Sequence, residues 1–312
     1  PGGNPESWTM PMTRTLLATA LSALLAIPAA AQPAAPARQD VVIRFAGMVG
    51  DQPFACGRSY DGVGASNSRI TPSDFRFYVS DVELIDAQGR GVPLQLAQDG
   101  VWQHADVALI DFENRSGPCL TGTVETNETV RGSVPAGTYR GLRFTLGVPQ
   151  ALNHADSTVA PSPLNLASLF WSWQAGYKFL RIDLATAGRP QTIRAGEVPR
   201  FGDREGSNRL GFAIHIGSTV CASASPATPP DGPCRNPNRL RVELPGFDPA
   251  RGVVVADMRA LLDGVNLEVN QAETPAGCMS TPNDGDCDPL MQNLGLAFGG
   301  RASPGQRFFR AR

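Results

Sequence analysis

DFRFYVSDVEL, residues 74–84, is the stretch whose reading decides the fold. Phe75, Phe77 and Val79 recur at every second residue and so share one face of an extended chain, the period of a strand with a buried side. After Val79 the phase slips to Val82 and Leu84. A slip at Ser80-Asp81 is what a β-bulge produces: one extra residue bends the strand without ending it. The same alternation recurs outward in both directions, in Val41, Ile43 and Phe45, in Val107 to Phe112, in Leu142, Phe144 and Leu146, in Leu180, Ile182 and Leu184, in Phe212, Ile214 and Ile216, and in Leu240, Val242 and Leu244. Gly and Pro clusters separate these runs, so the chain reads as all-β, an antiparallel β-sandwich with long loops. Met258, Leu261 and Leu262 add a helical turn, within an expectation of one or two short helices.

Composition agrees with this reading. The 312 residues include 33 Gly and 27 Pro, 42% are hydrophobic and 18% charged, which suits strands and turns and excludes a coiled coil or helical bundle. With 27 Lys and Arg against 29 Asp and Glu, the net charge of −2 excludes the basic footprint of a nucleic-acid binder.

From Met12 the chain runs MTRTLLATALSALLAIPAAAQ: a short segment with Arg14, an apolar stretch from Leu16 to Ile27, then small residues before Gln32. This is a secretory signal over residues 12–31, preceded by an upstream extension, residues 1–11, that has no place in such a signal. The apolar run is too short and interrupted for a span of ~20 residues, so the mature protein is expected to have no membrane span. Export to a periplasm or extracellular space makes disulfides the default state of the 6 cysteines. Closeness along the chain pairs Cys221 with Cys234 and Cys278 with Cys287, which leaves Cys56 with Cys119. Residues 32–298 then form one β-rich domain, followed by a basic tail over 299–312 that reads as partly disordered.

One segment departs from the β pattern. In Pro163 to Tyr177, Leu166, Leu169, Phe170 and Trp173 fall at helical spacing, with Asn165 as the cap and Gly176 as the stop. On a helix Trp173 is core and Trp171 faces outward; on a strand the two would share a face. The 3 histidines are His104, His154 and His215. A lone histidine is more often a hydrogen-bonded structural residue than a ligand, and Met279 more often packs a loop than binds a metal. Yet imidazoles on disulfide-braced loops suit copper or zinc, and a thioether such as Met279 tilts the choice to copper. Asp284, Asp286 and Asp288 alternate like a calcium loop, but Pro289 replaces the required glycine and Gly295 the closing Glu. No G-x-S-x-G, H-E-x-x-H, P-loop or C-x-x-C-H occurs, so the chain is expected to be no enzyme and to carry no haem of its own.

The runs DFRFYVSDVEL, ALIDFE (Ala108 to Glu113), GLRFTLGVP with LNHAD (Gly141 to Asp156), FWSWQAGYKFLRIDL (Phe170 to Leu184), HIGSTVC (His215 to Cys221) and GCMS with Cys287 resemble, in consistent order, the metallo-mystery pair system four-Cys motif family, the MbnP-type proteins. The resemblance implies a periplasmic copper-binding protein of copper homeostasis, partnered by a MauG-like di-haem cytochrome c peroxidase. That partner is implied to oxidise the first Trp of a W-x-W motif to kynurenine, which then helps hold one copper ion. The modified residue falls on Trp171, with Trp173 as the second Trp and, like Tyr177, an electron relay or packing neighbour. His154 and His215 lie inside matching motifs and are the imidazole candidates. His104, in Trp102-Gln103-His104, is the alternative, and Met279 the candidate soft ligand. A competing function is a secreted recognition module that stacks a glycan or peptide on Trp171, Trp173 and Tyr177.

Overall fold

The computed structural model describes residues 2–3, 37–186, 211–271 and 274–312. The upstream extension, the signal and most of the loop after Ala185 lie outside these residues. Within the unit Pro36–Arg312, the strand Ser68–Asp86 is the spine of the larger of two sheets. Its first half pairs antiparallel with Gly176–Ala185 and its second half with Tyr139–Leu146. Beyond Tyr139–Leu146 lies Leu240–Pro245; beyond Gly176–Ala185 lie Gly211–Gly217 and the short parallel strand Gly277–Cys278. Val107–Asp111 also pairs with the spine. The smaller sheet is built on Arg38–Val49, between Thr129–Pro135 and a parallel Val253–Asp257.

The alternating apolar residues face each other across the two sheets. Phe45 of the smaller sheet meets Phe77 and Phe144 of the larger edge-on at 5.9 and 5.8 Å, and all three are buried. Edge-to-face rings at such separations add to the burial of large apolar area. The bulge is present where the phase slips: Arg143 opposes Glu83 and Thr145 opposes Ser80, and Asp81 takes a positive φ of 50°. All three disulfides form as paired from the sequence, Cys56–Cys119, Cys221–Cys234 and Cys278–Cys287. The helical turn is Met258–Leu261, and a second helix, Cys287–Leu294, starts at a half-cystine.

Three expectations are corrected. The sheets are mixed, because Phe45 pairs with Val254 and Ile214 with Cys278 in parallel. The basic tail is not a loose end: Phe309–Ala311 pairs with Val253–Asp257, and Phe308 and Phe309 are buried in the main core. Apolar burial of two adjacent aromatics outweighs the charge of the flanking arginines. The helix expected from Leu166 to Trp173 is a single 3-10 turn, Ala167–Leu169, followed by the strand Phe170–Ser172. Here Phe170 pairs with Tyr177 in the ladder, and their rings meet edge-on at 5.0 Å. Aromatic residues fit a half-buried pleated surface, and a four-residue apolar match at helical spacing is too short to override that.

This segment closes over the outer face of the larger sheet. Leu164, Leu169, Tyr177 and Phe179 pack there with Tyr78, Val107 and Leu109 as a second, smaller hydrophobic cluster. The Tyr78 hydroxyl donates to the Pro163 carbonyl at 2.9 Å, and the Tyr177 hydroxyl donates to that of Leu164. The outer face therefore has its own lid of backbone.

Candidate metal centre

The larger sheet puts one row of polar residues on its outer face. Asp111 opposes Arg76, Arg76 opposes Arg181, and Arg181 opposes His215, each pair in direct register on neighbouring strands. The cause is in the sequence: strands whose even or odd positions fill the core must turn the intervening residues outward. Burial of these groups requires pairing, and Arg76, Arg181 and His215 are paired, while among the described residues the Asp111 carboxyl accepts only the Glu113 N–H at 2.8 Å. Arg76 holds Asp74 through two bonds of 2.9 and 2.5 Å. Arg181 reaches Asp74 at 3.2 Å and clasps Asp183 Oδ2 at 2.9 and 2.6 Å. Asp183 Oδ1 lies 2.7 Å from His215 Nε2. Although burial opposes its ionisation, His215 and Arg181 hold the Asp183 carboxyl well below the usual carboxylate range. Burial pushes His215 below the ordinary imidazole value against the pull of Asp183, so the ring is neutral at neutral pH. At the opposite end, burial drives the Asp111 carboxyl up to about 8, against the pull of Arg76.

Trp171, on the strand Phe170–Ser172, rests on Gly217, which is two residues along its own strand from His215. A Cβ on Gly217 would sit 2.6 Å from Trp171 Cζ3 and 2.6 Å from the Tyr177 carbonyl oxygen, so the indole rests directly on glycine backbone. Gly217 and His215 share a face, about 7 Å apart along the strand. Met279 follows Cys278, the register partner of Ile214, just past the end of the strand Gly277–Cys278. Ser280 ties this edge down: its hydroxyl donates to the His215 carbonyl at 3.1 Å and accepts from the Gly217 N–H at 3.2 Å. Trp171 and Met279 line one pocket of about 330 Å³ together with Gln174, Ser218, Thr219 and Cys221.

His154 has a different setting. Its Nδ1 donates to the Trp173 carbonyl at 3.0 Å, and Asn153 Nδ2 donates to its Nε2 at 3.1 Å. The amide orientation is fixed because Asn153 Oδ1 accepts the Tyr177 N–H. Cys234 Sγ lies 3.6 Å from the same Nε2. His154 and the two sulfurs of Cys221–Cys234 form a compact group, but the sulfurs are consumed by their disulfide. Burial pushes the His154 pKa down, so this ring too is neutral.

Of the residues singled out from sequence, the fold brings Trp171 and Met279 into one pocket, and His215 lies two residues along the strand from Gly217, on which Trp171 rests. His154 supports the turn that carries Trp173, and His104 sits half-buried on the two-residue strand Gln103–His104, paired to Val107–Asp111. Trp173 lies in the turn between the Trp171 strand and its partner and is half-buried, not core. Tyr177 is fully buried, which removes it from any exposed stacking platform. Sequence reading passed over Asp183, Arg181 and Asn153. The signal for the first two was available: in FLRIDL they alternate with three core leucine and isoleucine residues, so both charges had to meet on one covered face.

Fold and site together define a disulfide-braced β-sandwich that brings an indole and a thioether into one pocket at an edge of its larger sheet, with a buried imidazole on the neighbouring strand. A family model for MbnP matches residues 38–280, and the chain belongs to the MbnP family. The solved structure of MbnP from Methylosinus trichosporium superposes with a TM-score of 0.74 at 30% sequence identity, covering 88% of this chain and 98% of that one. No curated protein sequence matches the chain.

Proposed function

We propose that this protein is an exported, non-enzymatic copper-binding protein of copper homeostasis, completed when a MauG-like di-haem partner oxidises Trp171 to kynurenine. The observation that carries the reading is the meeting of Trp171 and Met279, 108 positions apart in sequence, in one pocket, with the indole resting on Gly217, two residues along the strand from His215. The donor chemistry fits the metal: a neutral imidazole and a thioether suit copper better than a hard cation. An intact indole contributes only an N–H and no lone pair for a metal. Oxidative cleavage of its C2–C3 bond by the partner's oxidant, followed by hydrolysis that releases C2 as formate, leaves an aromatic amine and a ketone, so maturation creates a donor where none existed. His215 and Met279 would hold copper with that new donor. His154 joins them only if Asn153 releases its Nε2, and His104 is the remaining alternative. Copper when bound supplies the chemistry of a one-electron, soft-ligand centre. The chain itself supplies placement: Gly217 seats the indole, and the Cys278–Cys287 disulfide anchors the Met279 segment.

No helix among the described residues is long and apolar enough to cross a membrane. Co-expression with and without the di-haem partner tests the function. Intact mass and copper content should change together, with oxidation confined to the Trp171 peptide. Full copper retention by protein whose tryptophans are all intact would overturn the reading.

A further inference from the structure

We propose that Asp183, held in place by Arg181, is a positioning residue that fixes the tautomer of His215 and thereby makes Nδ1 the nitrogen the ring offers to a metal. This rests on the copper reading only for the identity of the metal; the tautomer itself does not depend on it.

The argument is one of donors and acceptors. Asp183 Oδ2 is taken by two N–H groups of Arg181, and Oδ1 faces His215 Nε2 at 2.7 Å. A carboxylate so clasped is an acceptor only, so the hydrogen in the short contact must belong to Nε2. A neutral ring with its proton on Nε2 carries its lone pair on Nδ1. Among the described residues that nitrogen has no hydrogen-bond partner, whereas both nitrogens of His154 are engaged.

Arg181 does more than hold Asp183. Its Nη1 donates at 3.0 Å to the Ser168 carbonyl, and Lys178 Nζ donates to the same oxygen at 2.9 Å. Ser168 belongs to the turn that leads into the Trp171 strand. One guanidinium therefore sets the ring orientation of His215 through Asp183 and the entry of the Trp171 segment through Ser168. Asp74 lies 3.2 Å from Arg181 Nε and is itself locked by Arg76 and by Thr121, whose hydroxyl donates to Asp74 Oδ2 at 2.8 Å. Outer hydrogen-bond partners of metal-bound histidines act in this way, and their loss costs about 10–100-fold in affinity.

The test is a long-range proton–nitrogen correlation spectrum of the full chain, ¹⁵N-labelled and metal-free at neutral pH. With 3 histidines in the sequence, His104→Gln and His154→Gln variants assign the rings. The wild-type His215 ring should carry its proton on Nε2, with a downfield, slowly exchanging N–H. Asp183→Asn can turn its amide NH₂ toward the ring and should move the proton to Nδ1, while lowering copper affinity of the matured protein about 10–100-fold. A proton on Nδ1 in the wild type, protons on both nitrogens, or a tautomer unchanged by Asp183→Asn overturns the proposal. Should the Asn variant fail to fold, the wild-type proton decides: a fast-exchanging N–H at an ordinary shift contradicts a carboxylate partner. If the tautomer is as expected but matured wild-type protein holds no copper, the functional reading fails and the positioning role stands.

Discussion

His154 and His215 are both buried neutral imidazoles, and what separates them is the company each nitrogen keeps. His154 spends one nitrogen on the Trp173 carbonyl and the other on Asn153, beside a disulfide sulfur. His215 spends one on Asp183, and among the described residues the other has no hydrogen-bond partner. Burial alone therefore does not mark a ligand. A histidine whose two nitrogens are both satisfied is doing a structural job, and one braced on a single side by a carboxylate is prepared for a second partner.

The widest gap between the two should appear on removing each ring. His215→Ala is expected to lower copper affinity of the matured protein by more than the ~10–100-fold typical of an outer partner, with a smaller change in thermal stability. His154→Ala should do the reverse. It strips a partner from the buried Trp173 carbonyl and from Asn153, at a cost of about 1–3 kcal/mol in denaturant unfolding. Equal copper loss in both variants, with stability intact, would make His154 a ligand and dissolve the distinction.

Gly217→Ala sharpens the same contrast from the side of the indole. Its Cβ would meet Trp171 and the Tyr177 carbonyl at 2.6 Å, so the ring or the backbone must move. The expected cost is about 1–3 kcal/mol, accompanied by slower oxidation of Trp171 on co-expression. Oxidation at the wild-type rate would mean that the seat on glycine is irrelevant to maturation.

The smallest effect is expected at the other end of the polar row. Asp111 keeps its proton to about pH 8 in the folded protein, while an unfolded Asp loses it near 4. The folded state thus binds the extra proton, and stability should fall as pH rises between about 4 and 8, with a slope of at most ~1.4 kcal/mol per pH unit from this group. Asp111 Oδ2 is buried without a hydrogen-bond partner among the described residues, so Asp111→Asn should flatten that slope without touching copper binding. Unfolding midpoints measured across this range decide it; an unchanged slope would place the titrating group elsewhere.

The sandwich was legible because alternation is a strong signal wherever one strand face is buried, and the Ser80-Asp81 slip even located the bulge. Sequence proximity gave the two short-range disulfides, and elimination gave the third. The tail strand was hidden because Phe308 and Phe309 are a pair without a period, and their burial depends on a partner strand whose paired residues lie 53 to 57 positions away in sequence. Helical spacing misread the Trp171 segment because its apolar residues fit a helical stripe as well as a tight hairpin, and the pairing of Phe170 with Tyr177 decided for the hairpin. For the site, residue types were readable but neighbours were not. Which nitrogen of which histidine is free depends on Asp183 and Asn153, side chains that meet those rings only across the sheet and across a turn.

Copper content and mass of Trp171→Phe protein, co-expressed with the di-haem partner, test the central claim most directly. The substitution keeps an aromatic ring on Gly217 but removes the nitrogen that oxidation would expose. The variant should show neither the oxidation of residue 171 nor retained copper, while Trp173→Phe keeps both. A Trp171→Phe protein that holds a full equivalent of copper would contradict the account.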